Sequence, residues 1–135
     1  MRRFEHLDVY NLAHSLSRRA YRATMTAPFG RHLRLAEQIR GASASIPANI
    51  AEGYALGTKP QLIRHLRISL GSAEELKCHL ALAVDVGLIG ESGRTFINDS
   101  DRLIGMLIGL LKSLGAKVPS RSRFPLPPSR FPASH

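Results

Sequence analysis

The sequence predicts an all-α protein, built as an antiparallel, up-and-down four-helix bundle. Its apolar residues, 44% of the 135, are mainly the helix formers Leu, Ile and Ala, and only 6% of the residues are aromatic. Four segments repeat apolar residues at intervals of three and four, the period of a helix that buries one face. We assign residues 1–118 to this bundle, because a chain of this length forms one domain.

Helix one follows from its apolar stripe and the residues that flank it. Asp8 is placed to cap its start, and Pro28 and Gly30 end it. The stripe consists of Val9, Leu12, Ala13, Leu16, Ala20 and Ala23.

Helix two starts near His32 and contains Pro47. An interior proline removes one backbone hydrogen bond and costs on the order of 3 kcal/mol. Because the apolar period continues in phase beyond Pro47, we expect a kink rather than a break, with Ser43 or Ser45 compensating part of the loss. The residues that indicate its end are Gly53 and Gly57.

Helix three has the clearest pattern, an apolar stripe of about six turns at 3.6 residues per turn. Thr58 can cap it, and Pro60 lies in its first turn, where the missing N–H does no harm. Gly87 and Gly90 end it. The polar residues that lie off its stripe are Arg64, His65 and Arg67.

Helix four extends from about Ser92 to Gly115, and its second half is apolar nearly all round. A helix of that kind is buried on more than one side, so we expect a second chain to cover the surplus. Gly105 and Gly109 would let a neighbouring helix approach closely. The oligomer interface predicted on this basis comprises Leu103, Leu107, Leu110 and Leu111.

The composition changes after Val118, and residues 119–135 are rich in Pro and Arg without any acidic residue. Such a segment forms neither helix nor sheet, so we predict a disordered tail. Two roles are open for it, a basic arm for nucleic acid and a neutral extension.

The charge balance indicates a polyanionic partner. The chain has 19 Lys and Arg against 10 Asp and Glu, a net charge of +9, and Arg presents a planar donor fork that suits phosphate. Nucleic acid is the first candidate and an anionic membrane surface the second; the alternative is a basic bundle whose charge only prevents aggregation. For helix one, stabilisation of the helix dipole is an equally good explanation. The predicted nucleic-acid-binding residues are Arg18, Arg19, Arg22, Arg34, Arg40, Arg64 and Arg67.

Catalytic and metal-binding patterns are lacking in the sequence. There is no HExxH motif, no phosphate-binding glycine loop and no nucleophile in a recognisable context, so we expect no enzyme activity, no metal and no cofactor. Cys78 is the single cysteine and is expected to be a small buried apolar residue. No segment has the length of a membrane span or of a signal peptide, which predicts a cytoplasmic protein. As partners we expect nucleic acid and no membrane.

The string SIPANIAEG, Ser45 to Gly53, carries a family resemblance. Together with QIR just before it, LRISLGSAEEL from Leu66 and the opening FEHLDVYNLAHSL, it resembles the four-helix-bundle proteins encoded by intervening sequences in bacterial large-subunit ribosomal RNA genes. The accessory variability determinant of diversity-generating retroelements belongs to the same family. The resemblance covers about residues 4–114. It implies a homopentamer with a basic surface for RNA or DNA, no catalysis and, in the retroelement members, binding to a reverse transcriptase.

The motif residues are predicted to have structural roles. Asn49 and Glu52 could each bond a backbone group freed by the proline or a facing helix. Glu75 could pair with Arg40 or Arg64, and the Gly71–Ser72 pair should mark a close helix contact. The full set of structural motif residues is Pro47, Asn49, Glu52, Gly53, Gly71 and Glu75.

Two functions remain open at this point. The first is an oligomeric, non-catalytic protein that binds RNA or DNA with weak sequence preference, as an accessory to a reverse transcriptase in the retroelement case. The second is a scaffold whose basic face docks an acidic protein, without a physiological role for nucleic acid.

Overall fold

A computed structural model describes residues 7–118 of the chain. It confirms the all-α class, with four α-helices and no strand among the described residues. A short 3₁₀ turn, Ala27–Arg31, joins the first two helices. The helices are α1 Asp8–Thr24, α2 Leu33–Ala55, α3 Lys59–Asp85 and α4 Ser92–Ser113.

Consecutive helices run antiparallel, as short connections require. Between α2 and α3 the contacts show the direction: Ser45 bonds Ser72, whereas Asn49, later in α2, bonds His65, earlier in α3. α1 packs against both α2 and α4, and α3 packs against α2 and α4. The helices therefore enclose one core in the up-and-down order that the sequence predicts.

The helix ends agree with most of the sequence signals. Thr58 caps α3, its hydroxyl accepting a hydrogen bond from the Gln61 backbone N–H at 3.4 Å, and Pro60 lies in the first turn. Gly57 has a φ of 77°, a left-handed conformation that stops α2. The capping prediction for Asp8 is wrong: Leu7 occupies the cap position without a side-chain bond, and Asp8 is the first helical residue.

α2 continues through Pro47, so the prediction that the helix does not break there is confirmed, and the kink stays a prediction. The proline ring is buried in the bundle. The Ser43 hydroxyl donates to the Arg40 carbonyl oxygen at 3.0 Å, and the Ser45 hydroxyl bonds Ser72. Neither hydroxyl therefore replaces the hydrogen bond that the missing N–H of Pro47 would make. The packing of α2 against α1 and α3 keeps the helix continuous.

The core is formed by one stripe from each helix, closed at one end by Phe29 of the 3₁₀ turn, whose exposure is 1%. Each fully buried Leu or Ile contributes about 1.5–3 kcal/mol relative to an exposed one. The largest fully buried side chains besides Phe29 are Leu16, Ile39, Ile46, Ile50, Leu66, Leu76, Leu80, Leu103, Ile104, Leu107 and Leu111.

The apolar second half of α4 is covered mainly by its own chain. Leu103, Leu107 and Leu111 are 0% exposed, so they are not available to a second chain, and only Leu110 of the predicted interface is partly exposed. The interface assignment is therefore corrected for these three leucines. Gly109 is exposed, and a Cβ atom there would meet no atom within 4 Å, so it marks no helix contact within the chain.

Two further expectations concern the surface. Cys78 is exposed, contrary to the predicted burial, because it lies on the face of α3 opposite the core. The predicted Pro- and Arg-rich tail, residues 119–135, lies outside the described residues. No helix of the described part is long and apolar enough to cross a membrane.

Candidate nucleic-acid interface

The seven arginines predicted to bind nucleic acid fall into two classes. Two of them, Arg19 and Arg40, are partly buried and are bonded to neighbouring helices. The other five are exposed, and within residues 7–118 their guanidinium groups make no ion pair or hydrogen bond. The open arginines are Arg18, Arg22, Arg34, Arg64 and Arg67.

Arg19 connects α1 to α4. Its Nη1 donates to Asp99 Oδ2 at 2.6 Å, and its guanidinium lies over the Phe96 ring, 4.7 Å from the centroid. Both contacts occupy the guanidinium of Arg19, which is the group that would bind a phosphate. Arg19 is therefore a structural residue rather than an open phosphate ligand.

Arg40 connects α2 to the end of α1. Its Nε donates to the Thr24 hydroxyl at 2.7 Å and its Nη2 to the Thr24 carbonyl oxygen at 3.2 Å. The guanidinium also lies 5.4 Å from the centroid of the Tyr21 ring. Arg40 therefore satisfies an unpaired carbonyl at the helix terminus, which is again a structural role.

The open arginines form two groups on the bundle. Because Arg40 bonds Thr24, the C-terminal half of α1 lies beside the N-terminal half of α2, which places Arg18, Arg22 and Arg34 at one end. Asn49 bonds His65, so Arg64 and Arg67 lie beside the other half of α2. At 1.5 Å per residue the centres of the two groups are separated by roughly 12 Å along the bundle.

The group on α3 differs from the other group because apolar side chains lie beside its arginines. Arg64 and Arg67 border a shallow surface hollow that is also lined by Pro60, Ile63 and Ile68. The hollow therefore combines two cations with exposed aliphatic surface. Binding of a phosphate would require only the cations.

The SIPANIAEG segment lies at the α2–α3 interface and does not form a ligand site. Asn49 Oδ1 lies 3.0 Å from His65 Nδ1, while its Nδ2 donates to the Ser45 carbonyl oxygen at 2.9 Å. Of the two alternatives for Asn49, the facing helix is thus the one found. Glu52, with 61% of its side chain exposed, lies 3.8 Å from the same histidine nitrogen.

His65 was placed off the core stripe by its sequence position, and this is wrong. Only 6% of the residue is exposed, because it packs between α2 and α3. The signal that could have identified it is the polar series His65, Ser69 and Ser72, whose three- and four-residue spacing marks one edge of the helix. Ser69 donates to the Ile46 carbonyl oxygen at 2.9 Å, and Ser72 donates to the Ser45 hydroxyl at 2.9 Å.

Gly53 is required by the closeness of the two helices. A Cβ atom at this position would lie 2.9 Å from His65 Cβ and 3.2 Å from Leu62 Cδ1. It lies within α2 and not at its end, so its role is close packing against α3.

The predictions for Gly71 and Glu75 are corrected. Gly71 is exposed, and a Cβ atom there would meet nothing within 4 Å, so it marks no contact within the chain. Glu75 pairs with neither of the two arginines considered for it; its Oε1 lies 3.2 Å from Nε2 of His79, one turn along α3. The contact expected at Ser72 is confirmed by its bond to Ser45.

Two chemical features complete the description. Among residues 7–118, no group of three or more His, Cys, Asp or Glu side chains is arranged to hold a metal ion. Burial raises the pKa of Tyr54, which keeps its phenol protonated, and this residue lies in the last turn of α2, away from the arginines of α1.

Comparison with known families gives one match. Residues 5–109 match the family model described as 23S rRNA-intervening sequence protein. A search of curated proteins gives no match. The match covers all of α1, α2 and α3 and most of α4, and it confirms the resemblance seen in the SIPANIAEG segment.

Proposed function

The chain belongs to the 23S rRNA-intervening sequence protein family, and we propose that it binds RNA or DNA without catalysing a reaction. The contacts are made by the exposed arginines Arg18, Arg22, Arg34, Arg64 and Arg67. Arg19 and Arg40 hold the helices that carry them.

One observation supports this proposal above all: within residues 7–118 these five guanidinium groups have no partner, in a chain of net charge +9. An arginine that stabilises a fold finds a partner, as Arg19 does with Asp99. Exposed, unpaired cations in two groups on the bundle create a field that attracts a polyanion, and their binding releases the counterions of that polyanion. The family's connection with ribosomal RNA agrees with such a partner.

The expected mode of binding is contact with the phosphate backbone and not readout of bases. Aromatic residues are only 6% of the sequence, and Tyr21, the exposed aromatic residue near the open arginines, lies against Arg40. Because few rings are available to stack on bases, sequence preference should be weak and salt dependence strong.

The proposal includes self-association and a cytoplasmic location. A homopentamer, the assembly that the family resemblance implies, would repeat the two arginine groups around a ring, so that each contact after the first becomes intramolecular. Such a ring could act as an accessory to a reverse transcriptase, as the resemblance to the retroelement members implies.

The alternative function is a scaffold that docks an acidic protein. The apolar side chains that line the hollow beside Arg64 and Arg67 favour this scaffold function, because aliphatic side chains bind protein surfaces and add nothing to a phosphate contact. This alternative predicts that binding depends on Ile68 as well as on the arginines.

The test measures binding of a short RNA duplex by fluorescence anisotropy at several salt concentrations, together with the solution mass by light scattering. The variants are Arg18→Ala/Arg22→Ala and Arg64→Ala/Arg67→Ala, with Arg19→Ala and Ile68→Ala as controls. Each double variant should weaken binding about tenfold, since each arginine on phosphate is worth a charge-assisted hydrogen bond.

If the folded double variants bind as tightly as the native chain, the named arginines do not form the interface. If the native chain does not bind RNA or DNA at low salt, while an acidic protein is bound in a manner that Ile68→Ala weakens, the scaffold function replaces the proposed one.

A further inference from the structure

The outer face of α3 carries large apolar side chains that nothing in the described chain covers. Ile68 is 40% exposed and Leu82 is 50% exposed, and Val86 just beyond the helix is 57% exposed. By contrast, the helices α2 and α4 expose no large hydrophobic residue between their first and last turns. The outer face of α3 therefore has the composition of a contact surface.

Charge on the same face is divided between the two halves of the helix. Arg64 and Arg67 lie in the first half, and Glu74 and Glu75 follow in the second, all of them exposed. A helix dipole favours the opposite order, with acidic residues first, so this arrangement does not stabilise α3 itself. Arg67 and Glu74 are seven residues apart, about 10 Å along the axis, which is too far for an ion pair within the helix.

An antiparallel copy of the same helix would satisfy both features. We propose that two copies of this chain associate through the outer faces of their α3 helices, related by a two-fold axis that passes beside Gly71. A two-fold contact uses the same surface on both chains, so the basic half of each α3 meets the acidic half of the other.

The register follows from the sequence positions. Arg67 and Glu75 lie four residues on either side of Gly71, so Arg67 of each chain is level with Glu75 of the partner subunit. Among the described residues, the carboxylate of Glu75 contacts only the half-buried His79 ring, and it has further acceptor sites for a guanidinium. Two reciprocal ion pairs therefore flank the axis.

Gly71 suits the crossing point of the two helices. It is exposed, and the position where a Cβ atom would stand has no neighbour within 4 Å. Without a side chain at the crossing, the two backbones can approach to the short end of the usual 8–10 Å between helix axes. This gives a role to a residue that marks no contact within one chain.

Leu82 of one chain can occupy the surface hollow beside Arg64 and Arg67 of the other chain. It lies eleven residues after Gly71, and Pro60 lies eleven residues before it, so Leu82 of the partner subunit is level with Pro60. The hollow lined by Pro60, Ile63 and Arg64 can therefore receive this leucine. One helix face buries less area than a standard interface, so we expect an association in the micromolar range.

This contact shares Arg64 and Arg67 with the proposed nucleic-acid interface. A pair of chains joined through α3 therefore presents Arg18, Arg22 and Arg34 to phosphate, and the two uses of the α3 arginines exclude each other. A two-fold contact cannot close a ring of five, so it produces dimers or, if rings form through another surface, pairs of rings with ten chains.

The first test is disulfide crosslinking. In a Cys78→Ser background, Gly71→Cys should form a covalent dimer under mild oxidation, since the two thiols meet at the axis. The native chain is the matched control: its Cys78 lies seven residues from the axis, so the two Cys78 thiols are about 20 Å apart and should not crosslink. Efficient crosslinking through native Cys78, or none through Gly71→Cys, overturns the register.

The second test reverses charges. Arg67→Glu and Glu75→Arg should each raise the dissociation constant of the association, measured by analytical ultracentrifugation, about tenfold, because each places two like charges opposite each other twice. The double variant Arg67→Glu/Glu75→Arg should restore native affinity.

Single variants that associate like the native chain, a double variant that does not recover, or a monomer at all concentrations would each refute the α3 contact. Binding of an RNA duplex by the Arg18→Ala/Arg22→Ala chain, whose α3 face is unchanged, is measured in parallel and reports on the proposed function separately. The circular dichroism of all variants should remain helical, because every substituted residue is exposed.

Discussion

The α2–α3 interface and the outer face of α1 use polar residues in opposite ways. At the interface, Asn49, His65 and Ser69 are bonded across the two helices. On α1, Arg18 and Arg22 are exposed and have no partner within residues 7–118, although Arg19 between them binds Asp99 of α4. One region fixes the position of the helices, and the other leaves charge available to a partner.

The difference shows why a family motif need not mark a functional site. The SIPANIAEG segment combines small and polar residues at the spacing that lets α2 approach α3 and bond to it. Its residues specify which two helices pair and in which register, because a buried polar group without its partner costs about 1–3 kcal/mol. The phosphate-binding residues need only charge and exposure, so no fixed sequence motif identifies them.

The largest expected effect lies in the closest helix contact. Gly53→Ala should lower the free energy of unfolding by about 2 kcal/mol, because its Cβ would lie 2.9 Å from His65 Cβ. The matched control on the same helix is Gly41→Ala, where nothing lies within 4 Å; it should stabilise the protein by up to about 1 kcal/mol. Urea denaturation of both variants checks the pair, and equal effects would show that α2 and α3 are not in close contact at Gly53.

The next effect concerns the bonded polar residues. Asn49→Ala removes the partner of His65 Nδ1 and should cost about 1–2 kcal/mol in thermal or urea unfolding. Glu52→Gln is the control on the same histidine: its side chain is mostly exposed and 3.8 Å away, so the change should stay within about 0.5 kcal/mol. A harmless Asn49→Ala would mean that the interface does not depend on this bond.

The smallest effect sharpens the contrast between adjacent arginines. Arg19→Ala should destabilise the fold by about 1 kcal/mol, through loss of the Asp99 pair and of the contact with Phe96, and it should leave RNA affinity nearly unchanged. Arg18→Ala should do the reverse, with a stability change below about 0.5 kcal/mol and weaker RNA binding. If both variants behave alike in both assays, exposure does not separate structural from binding arginines.

Much of the fold could be predicted from the sequence because local and tertiary signals agree. Apolar periodicity located all four helices, and Thr58, Pro60 and Gly57 marked the α2–α3 connection. The 3₁₀ turn with its buried Phe29 was not predicted, because a single aromatic residue in a connection has no periodicity.

The errors came from properties that depend on neighbouring helices. The sequence places His65 off the apolar stripe of α3, because its partner Asn49 is sixteen residues away on another helix. The apolar excess of α4 suggested a second chain, but α4 buries Ile104 and Ile108 alongside its leucines within one bundle. The bonded arginines likewise differ from the open ones by their contacts with Asp99, Phe96 and Thr24 on other helices. The spacing of the arginines in the sequence does not predict these contacts.

The measurement that tests the central claim most directly is the salt dependence of RNA-duplex binding, compared between the native chain and the Arg18→Ala/Arg22→Ala variant. If both arginines contact phosphate, the slope of log affinity against log salt should fall in magnitude by about 2, since each contact contributes about 0.9. The fold should be unaffected. An unchanged slope, with the variant folded and RNA still bound, would show that the exposed arginines of α1 are not the phosphate ligands.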